Sequence, residues 1–229
     1  MSYKKLIPNI YLKDEKAYAD KDLSVLLGNG DAVAAANRFS ENGADEILVM
    51  DLSYDDDSHE KAIGILRQIT KSIDTPVLVG GNVKRVEDIK KYLYAGAKTA
   101  LLEDVKESNL LMMKEVADRF GAAKLGLVYT GAEKEALDMA ADNQLSVVIL
   151  SEKQFTADAD LISANQMNCI VNTKNADFTA LITNENIGGV TGLSVSALET
   201  ARTVLAPIEK ALGKRIKFLL CSISLSQGV

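Results

Sequence analysis

Eight apolar runs of strand length alternate with eight segments of helical period, and no linker or shift in composition interrupts them. The pattern predicts strands at 5–12, 46–51, 76–80, 98–102, 124–129, 146–150, 168–173 and 187–191. Helices are expected at 32–42, 60–73, 86–94, 109–120, 132–143, 159–165, 176–183 and 195–212. Asp31 and Ser58 are read as N-caps, and Gly43, Gly96 and Gly121 as helix stops. Lys13-Asp14-Glu15 is a polar break with Asp14 as the turn residue, followed by a loop of mixed composition to Gly30. Such βα repeats close into a (β/α)8 barrel or spread into an open doubly wound sheet. Eight strands with short loops in 229 residues favour one α/β barrel over residues 1–212. Residues 213–229 are set apart as a C-terminal extension of unknown role, because KFLLCSISLSQGV is apolar and fits no barrel element.

Composition narrows the function. A hydrophobic fraction of 47% supports a large core, and a net charge of −6 argues against a nucleic-acid or anionic-membrane surface. Trp is absent and aromatics are 5%, too few for a platform that stacks single-stranded bases. No run reaches the roughly 18 apolar residues of a membrane span. The start, MSYKKLIPNIYL, is too short in its apolar part for a signal peptide, and Pro8 interrupts it. Cys169 and Cys221 lie far apart without a metal or redox motif and read as reduced thiols of a cytoplasmic protein. His59 is the single histidine, so histidine-based metal clusters and Ser-His-Asp or Cys-His machinery are largely excluded. No cofactor is expected.

The stretch PVLVGGNVKRVED, 76–88, runs a buried strand into Gly80-Gly81-Asn82 and then into a helix. Glycines allow close backbone approach and helix N-termini present unpaired N–H groups, so this turn is the candidate phosphate cradle. Its plainer reading is a tight βα turn. Barrel ligands sit at the C-terminal ends of strands. Those positions are Tyr11, Asp51, Gly80 to Asn82, Glu103, Tyr129, Thr130, Ser151, Thr173 to Asn175 and Thr191. Asp51 is a weak candidate for a general base, against a strand-end carboxylate that binds nearby backbone N–H groups. Asp55, Asp56, Asp57 and Glu60 read as a solvated run complementing a helix N-terminus in preference to a metal site. His59 beside them reads as a surface residue. Glu103 and Asp104 are adjacent and expected to diverge. Tyr11 and Tyr129 are expected to face each other across the mouth and plug it. Cys169 reads as core.

LIPNIYLKD (6–14), ENGADEILVMDLS (41–53), TPVLVGGNVKRVEDIKKYLYAGA (75–97) and EVADRFG (115–121) resemble, in order and spacing, the cyclase subunit of imidazole glycerol phosphate synthase and its isomerase relative in histidine biosynthesis. The resemblance covers about 120 residues and fades after Thr130. It implies a TIM barrel of the ribulose-phosphate-binding type. It also implies a carboxylate general acid/base at the ends of the first and fifth strands. Tyr11 and Tyr129-Thr130 stand there instead, and a phenol, which ordinarily titrates near pH 10, is a poor substitute. The family lysine after the first strand falls near Ala19, and Glu103 replaces a polar amide. One phosphate site survives as Gly80-Gly81-Asn82. The second is NTKN at 172–175, where Lys174 is a point charge without a glycine cradle.

Such degenerate barrels are similar to the domain preceding bifunctional phosphoribosyl-AMP cyclohydrolase/phosphoribosyl-ATP pyrophosphatase. The resemblance therefore implies a barrel that has lost cyclase catalysis and binds a phosphate ligand or serves as a scaffold for fused or associated histidine-pathway enzymes. The alternative is an active cyclase or a related sugar-phosphate isomerase or lyase. A phosphorylated ribose metabolite or phosphate is the small-molecule partner on either reading.

Overall fold

Alternate residues of the strands pack into two separate cores, which is the signature of a sheet closed on itself inside a ring of helices. The computed structural model describes residues 4–173, 181, 184 and 186–193. Its strands are β1 (Lys5–Lys13), β2 (Lys16–Tyr18), β3 (Ile47–Asp51), β4 (Val77–Gly80), β5 (Thr99–Glu103), β6 (Leu125–Tyr129), β7 (Val147–Ser151), β8 (Cys169–Asn172) and β9 (Ile187–Leu193). Its helices are α1 (Ala32–Glu41), α2 (Asp56–Ser72), α3 (Val86–Tyr94), α4 (Glu107–Phe120), α5 (Glu135–Asp142), α6 (Glu152–Ala157) and α7 (Ala159–Ala164). From β3 onward each strand pairs in parallel with the next. β1 pairs in parallel with both β3 and β9, which closes the ring. The chain is a single (β/α)8 TIM barrel.

The lumen holds Ile7, Tyr11, Leu48, Met50, Leu78, Leu101, Val147, Ile149 and Ile170. Neighbouring residues such as Leu6, Ile10, Val49, Val79, Leu102 and Leu127 face the helices. The helices answer with apolar stripes. On α2 the buried residues are His59, Ala62, Ile63, Leu66 and Ile69, one face of a 3.6-residue period. Each fully buried aliphatic side chain of this layer contributes about 1.5–3 kcal/mol. At the base, Glu46 is buried and receives Lys5 Nζ at 2.8 Å and also Lys98 Nζ.

Two local expectations are corrected. Residues after Lys13 do not pass straight into a loop. Asp14 (φ 48°) and Glu15 (φ 62°) form a two-residue left-handed turn, and β2 folds back antiparallel on β1. Two successive positive-φ residues match the twist of a tight hairpin, and Asp tolerates that region better than most residues. The cap of α2 is Asp55, not Ser58. The Asp55 carboxylate accepts from Ser58 N at 2.8 Å, and Ser58 Oγ completes a capping box three residues into the helix.

The helix expected at 159–165 is α7, and a further short helix that the pattern did not announce, α6, precedes it, the two meeting at Asp158. The predicted 195–212 helix, most of the 176–183 helix, Lys174, Asn175, Cys221 and the 213–229 extension lie outside the described residues.

Candidate functional site

The strand ends gather at one mouth, and the βα loops place the candidate residues around it. Tyr11 points into the lumen from β1 and is nearly buried. Its hydroxyl accepts from Asn9 Nδ2 at 3.2 Å. Burial pushes the phenol above its ordinary pKa, and hydrogen bonds with Asn9 and Asn172 only partly oppose this. The group is a neutral phenol held in place, without the proton-accepting capacity of a carboxylate. Asn9 also accepts, through Oδ1, from Thr191 Oγ1 and from Gly192 N at 3.3 Å. This knot ties the β1–β9 seam directly below the mouth.

Tyr129 does not face Tyr11. It follows lumen-facing Val128 on β6, so it turns outward into the helix layer, where its hydroxyl donates to Asp158 Oδ2 at 3.0 Å. Strand alternation fixes this outcome: Val128 is the lumen-facing residue at this level, and Thr130, which follows the strand, is exposed.

Asp51 also turns outward, one residue after lumen-facing Met50. Its Oδ1 accepts from Ser53 N at 2.8 Å, and its Oδ2 from His59 Nδ1 at 2.7 Å and Tyr92 OH at 3.1 Å. His59 is therefore a core residue, which corrects its reading as a surface one. It lies four residues before Ile63 on the buried stripe of α2. Tyr92 shares its single hydroxyl hydrogen between Asp51 and the Gly81 carbonyl, the latter closer at 2.7 Å. Burial and the neighbouring Asp51 charge hold the Tyr92 phenol well above its ordinary pKa.

The glycine turn is packed from both sides. A Cβ on Gly80 would meet Leu101 Cβ at 3.0 Å and Met50 Sδ at 3.2 Å in the lumen. A Cβ on Gly81 (φ 82°) would sit 2.1 Å from the Asp51 carbonyl oxygen. Asn82 is also left-handed (φ 44°), and its Nδ2 donates to Ser53 Oγ at 2.8 Å. Further on, at the entry to α3, Lys84 N and Arg85 N both donate to Asp88 Oδ2.

Glu103 and Asp104 diverge. Glu103 follows the strand alternation toward the lumen and pairs with Lys106 Nζ at 2.6 Å. Its own N–H is taken by Asn109, whose amide oxygen accepts at 3.0 Å when the side chain is oriented to suit its partners. Asp104 is fully buried and binds the turn after β6. It accepts from Thr130 N and Oγ1, Gly131 N and Ala132 N, all at 2.8–3.0 Å.

Sequence reasoning missed Asp88, Asp104, Asn109 and Asn9 as partners of strand-end amides. The signal for three of them was an acidic or amide side chain at a strand–helix junction, where such residues cap.

Around the mouth, therefore, Asp51, Asp88, Asn109, Asp104 and Asn9 each accept from backbone N–H groups at or just after a strand end. Glu103 is the lumen-facing carboxylate among the described strand residues. No group of three His, Cys, Asp or Glu is placed to hold a metal ion among the described residues. Nor is any described helix long and apolar enough to cross a membrane.

A parallel barrel with its polar groups collected at the strand ends defines the class of (β/α)8 barrels that place their sites there. Residues 5–143, from β1 through α5, match the family model described as "Histidine biosynthesis protein", and the chain belongs to that family. It is 30% identical over 138 residues to the imidazole glycerol phosphate synthase subunit HisF of Streptococcus mutans, covering 60% of this chain and 55% of that protein. The same subunit of Streptococcus sanguinis is 29% identical over 136 residues, covering 59% and 54%. That of Flavobacterium psychrophilum is 28% identical over 122 residues, covering 53% and 49%. The matches span about half the length of these curated relatives.

Proposed function

We propose that this barrel is a member of the histidine-biosynthesis family that has exchanged cyclase catalysis for a scaffolding role among the enzymes of its pathway. One observation carries the reading. Where the family resemblance expects acid/base carboxylates, the mouth has Tyr11, a neutral phenol tied to Asn9, and the exposed Thr130, whose N–H and hydroxyl are engaged by Asp104. A general base must be able to receive a proton at the operating pH. A phenol with a raised pKa does not. The expected partners are phosphoribosyl-AMP cyclohydrolase and phosphoribosyl-ATP pyrophosphatase domains, fused or associated.

The test is turnover of the cyclase's aminoimidazole-carboxamide ribonucleotide precursor in the presence of ammonia, at micromolar protein. The reading expects no product above the protein-free rate. Product formation that scales with protein overturns it.

A second reading keeps a phosphate site at Gly80-Gly81-Asn82. The left-handed backbone at Gly81 and Asn82 favours it, because that geometry brings peptide groups close to a ligand. Calorimetric titration with inorganic phosphate and a ribose phosphate tests it. Saturable heat that disappears in Asn82→Asp supports the site, and absence of heat removes it. Gly80→Val is unsuitable as a probe, because its side chain would strike Leu101 and Met50 inside the lumen.

A further inference from the structure

We infer that the turn after β6 is a built cradle for one planar carboxylate, with Asp104 as its resident occupant, and that a small free carboxylate takes the same place when that side chain is cut back. Three successive backbone N–H groups, of Thr130, Gly131 and Ala132, converge with the Thr130 hydroxyl on the two oxygens of Asp104. Consecutive amides pointing into one concavity form an anion nest. The positive φ of Gly131 (82°) turns the peptides inward, and a Cβ there would lie 2.1 Å from Gln154 Nε2.

The occupant comes from another loop. Asp104 follows β5, whereas the cradle follows β6, 26 residues further on. A loop capped by its own side chain would be an ordinary turn; here the anion is delivered from the loop of the neighbouring strand. Both oxygens are used, with Oδ1 meeting the Thr130 N–H and hydroxyl and Oδ2 meeting all three amides. That selects a planar carboxylate over a tetrahedral oxyanion. Asp104 is fully buried while Thr130 and Ala132 are exposed, so the cradle lies just beneath the surface at the edge of the mouth.

The probe is Asp104→Ala, melted in formate or acetate against chloride of equal ionic strength, with inorganic phosphate as a further arm. Amide resonances of Thr130, Gly131 and Ala132 are followed in parallel. The expected result is a saturable rise in Tm with formate and acetate, half complete at about millimolar concentration for so small a ligand, with those three amides moving together. The wild type should show neither response. Equal effects of chloride and carboxylate on the folded variant, or equal shifts in the wild type, overturn the inference. A matching response to phosphate overturns the planar assignment.

If Asp104→Ala does not fold, Asp104→Asn supplies the test. It keeps the shape but removes the charge, so the Gly131 and Ala132 amides should move upfield and exchange faster. Unchanged amides overturn the proposal. These readouts do not involve turnover, so their failure is separate from any failure of the scaffold reading.

Discussion

His59 Nδ1 lies 2.7 Å from Asp51 Oδ2, and both residues are sealed between β3 and the helices α2 and α3. The other ring nitrogen, Nε2, faces Asp88 Oδ1 at 3.7 Å and has no hydrogen-bond partner of its own. One imidazole thus stands between two buried carboxylates, with Tyr92 bonding to Asp51 and to the Gly81 carbonyl from the same helix as Asp88. The cluster is a strut beneath the glycine turn, outside the lumen.

The strut predicts a graded loss of stability. Asp51→Ala strands His59 Nδ1 and removes one of two acceptors for Tyr92, so it should cost about 2–4 kcal/mol. Asp51→Asn keeps the shape and one acceptor and should cost roughly half as much. Urea unfolding of the two variants measures this. An Asp51→Ala variant as stable as the wild type would refute the strut.

At the turn itself, the order of tolerance should follow the packing. Gly81→Ala meets the Asp51 carbonyl at 2.1 Å and forces a positive φ on alanine, so a loss of about 2 kcal/mol or more is expected. Gly80→Ala has only close side-chain neighbours, Leu101 and Met50, and should cost about 1–3 kcal/mol. Asn82→Gly relieves the left-handed backbone while losing the bond to Ser53, so the two effects offset to within about 1 kcal/mol. Thermal melts of the three variants decide the order. A Gly81→Ala variant that melts above Asn82→Gly contradicts it.

The barrel was legible because its strands carry period-two patterning and its helices period-3.6 patterning, with Asp31 and Gly121 as unambiguous punctuation. The hairpin at β2 was hidden because KAY is three residues long and its turn, Asp14-Glu15, lacks the glycine that usually announces one. His59 was misplaced because the acidic run Asp55 to Asp57 dominated its surroundings. Its spacing to Ile63 and Leu66 was the correct guide.

The outward turn of Tyr129 follows from alternation once Val128 is known to face the lumen. That step needs the register of β6 against β5, which single-strand patterning leaves open. The partners of Asp104 were illegible, since the contact depends on the parallel register of β5 against β6, which sets Glu103 beside Val128 and is not written in either strand alone.

Cys169 gives the protein an alkaline weakness. Burial in the outer core raises its thiol from 9.0 to about 12. A folded-state pKa above the unfolded one means the stabilisation is complete below pH 9 and is lost as pH climbs toward 12. Tyr11, Tyr92 and Tyr129 are also raised, but from 10.0, so the first unit above pH 9 belongs mainly to the thiol. In that window the unfolding free energy should fall by up to about 1.4 kcal/mol per pH unit, and Cys169→Ala should flatten the slope. Denaturant melts at about pH 8 and about pH 10 on both proteins check the difference. Parallel slopes would show that the thiol is not responsible.

Glu46 at the base of the barrel makes the opposite prediction to a simple count of ion pairs. Its carboxylate is buried, whereas the side chains of Lys5 and Lys98 are 31% and 46% exposed. Removing the carboxylate frees two lysines that return to water, so Glu46→Gln should cost only about 1–2 kcal/mol. Removing both lysines leaves a buried carboxylate without a counter-ion, and the Lys5→Met/Lys98→Met variant should lose about 3–5 kcal/mol. Adding Glu46→Gln to that double variant should recover part of the loss, because the neutral amide is cheaper to bury than the unpaired charge. Urea titrations of the four proteins give the comparison. If the double lysine variant is the more stable of the first two, Glu46 does not depend on its lysines for compensation, and the base of the barrel is held by its apolar packing alone.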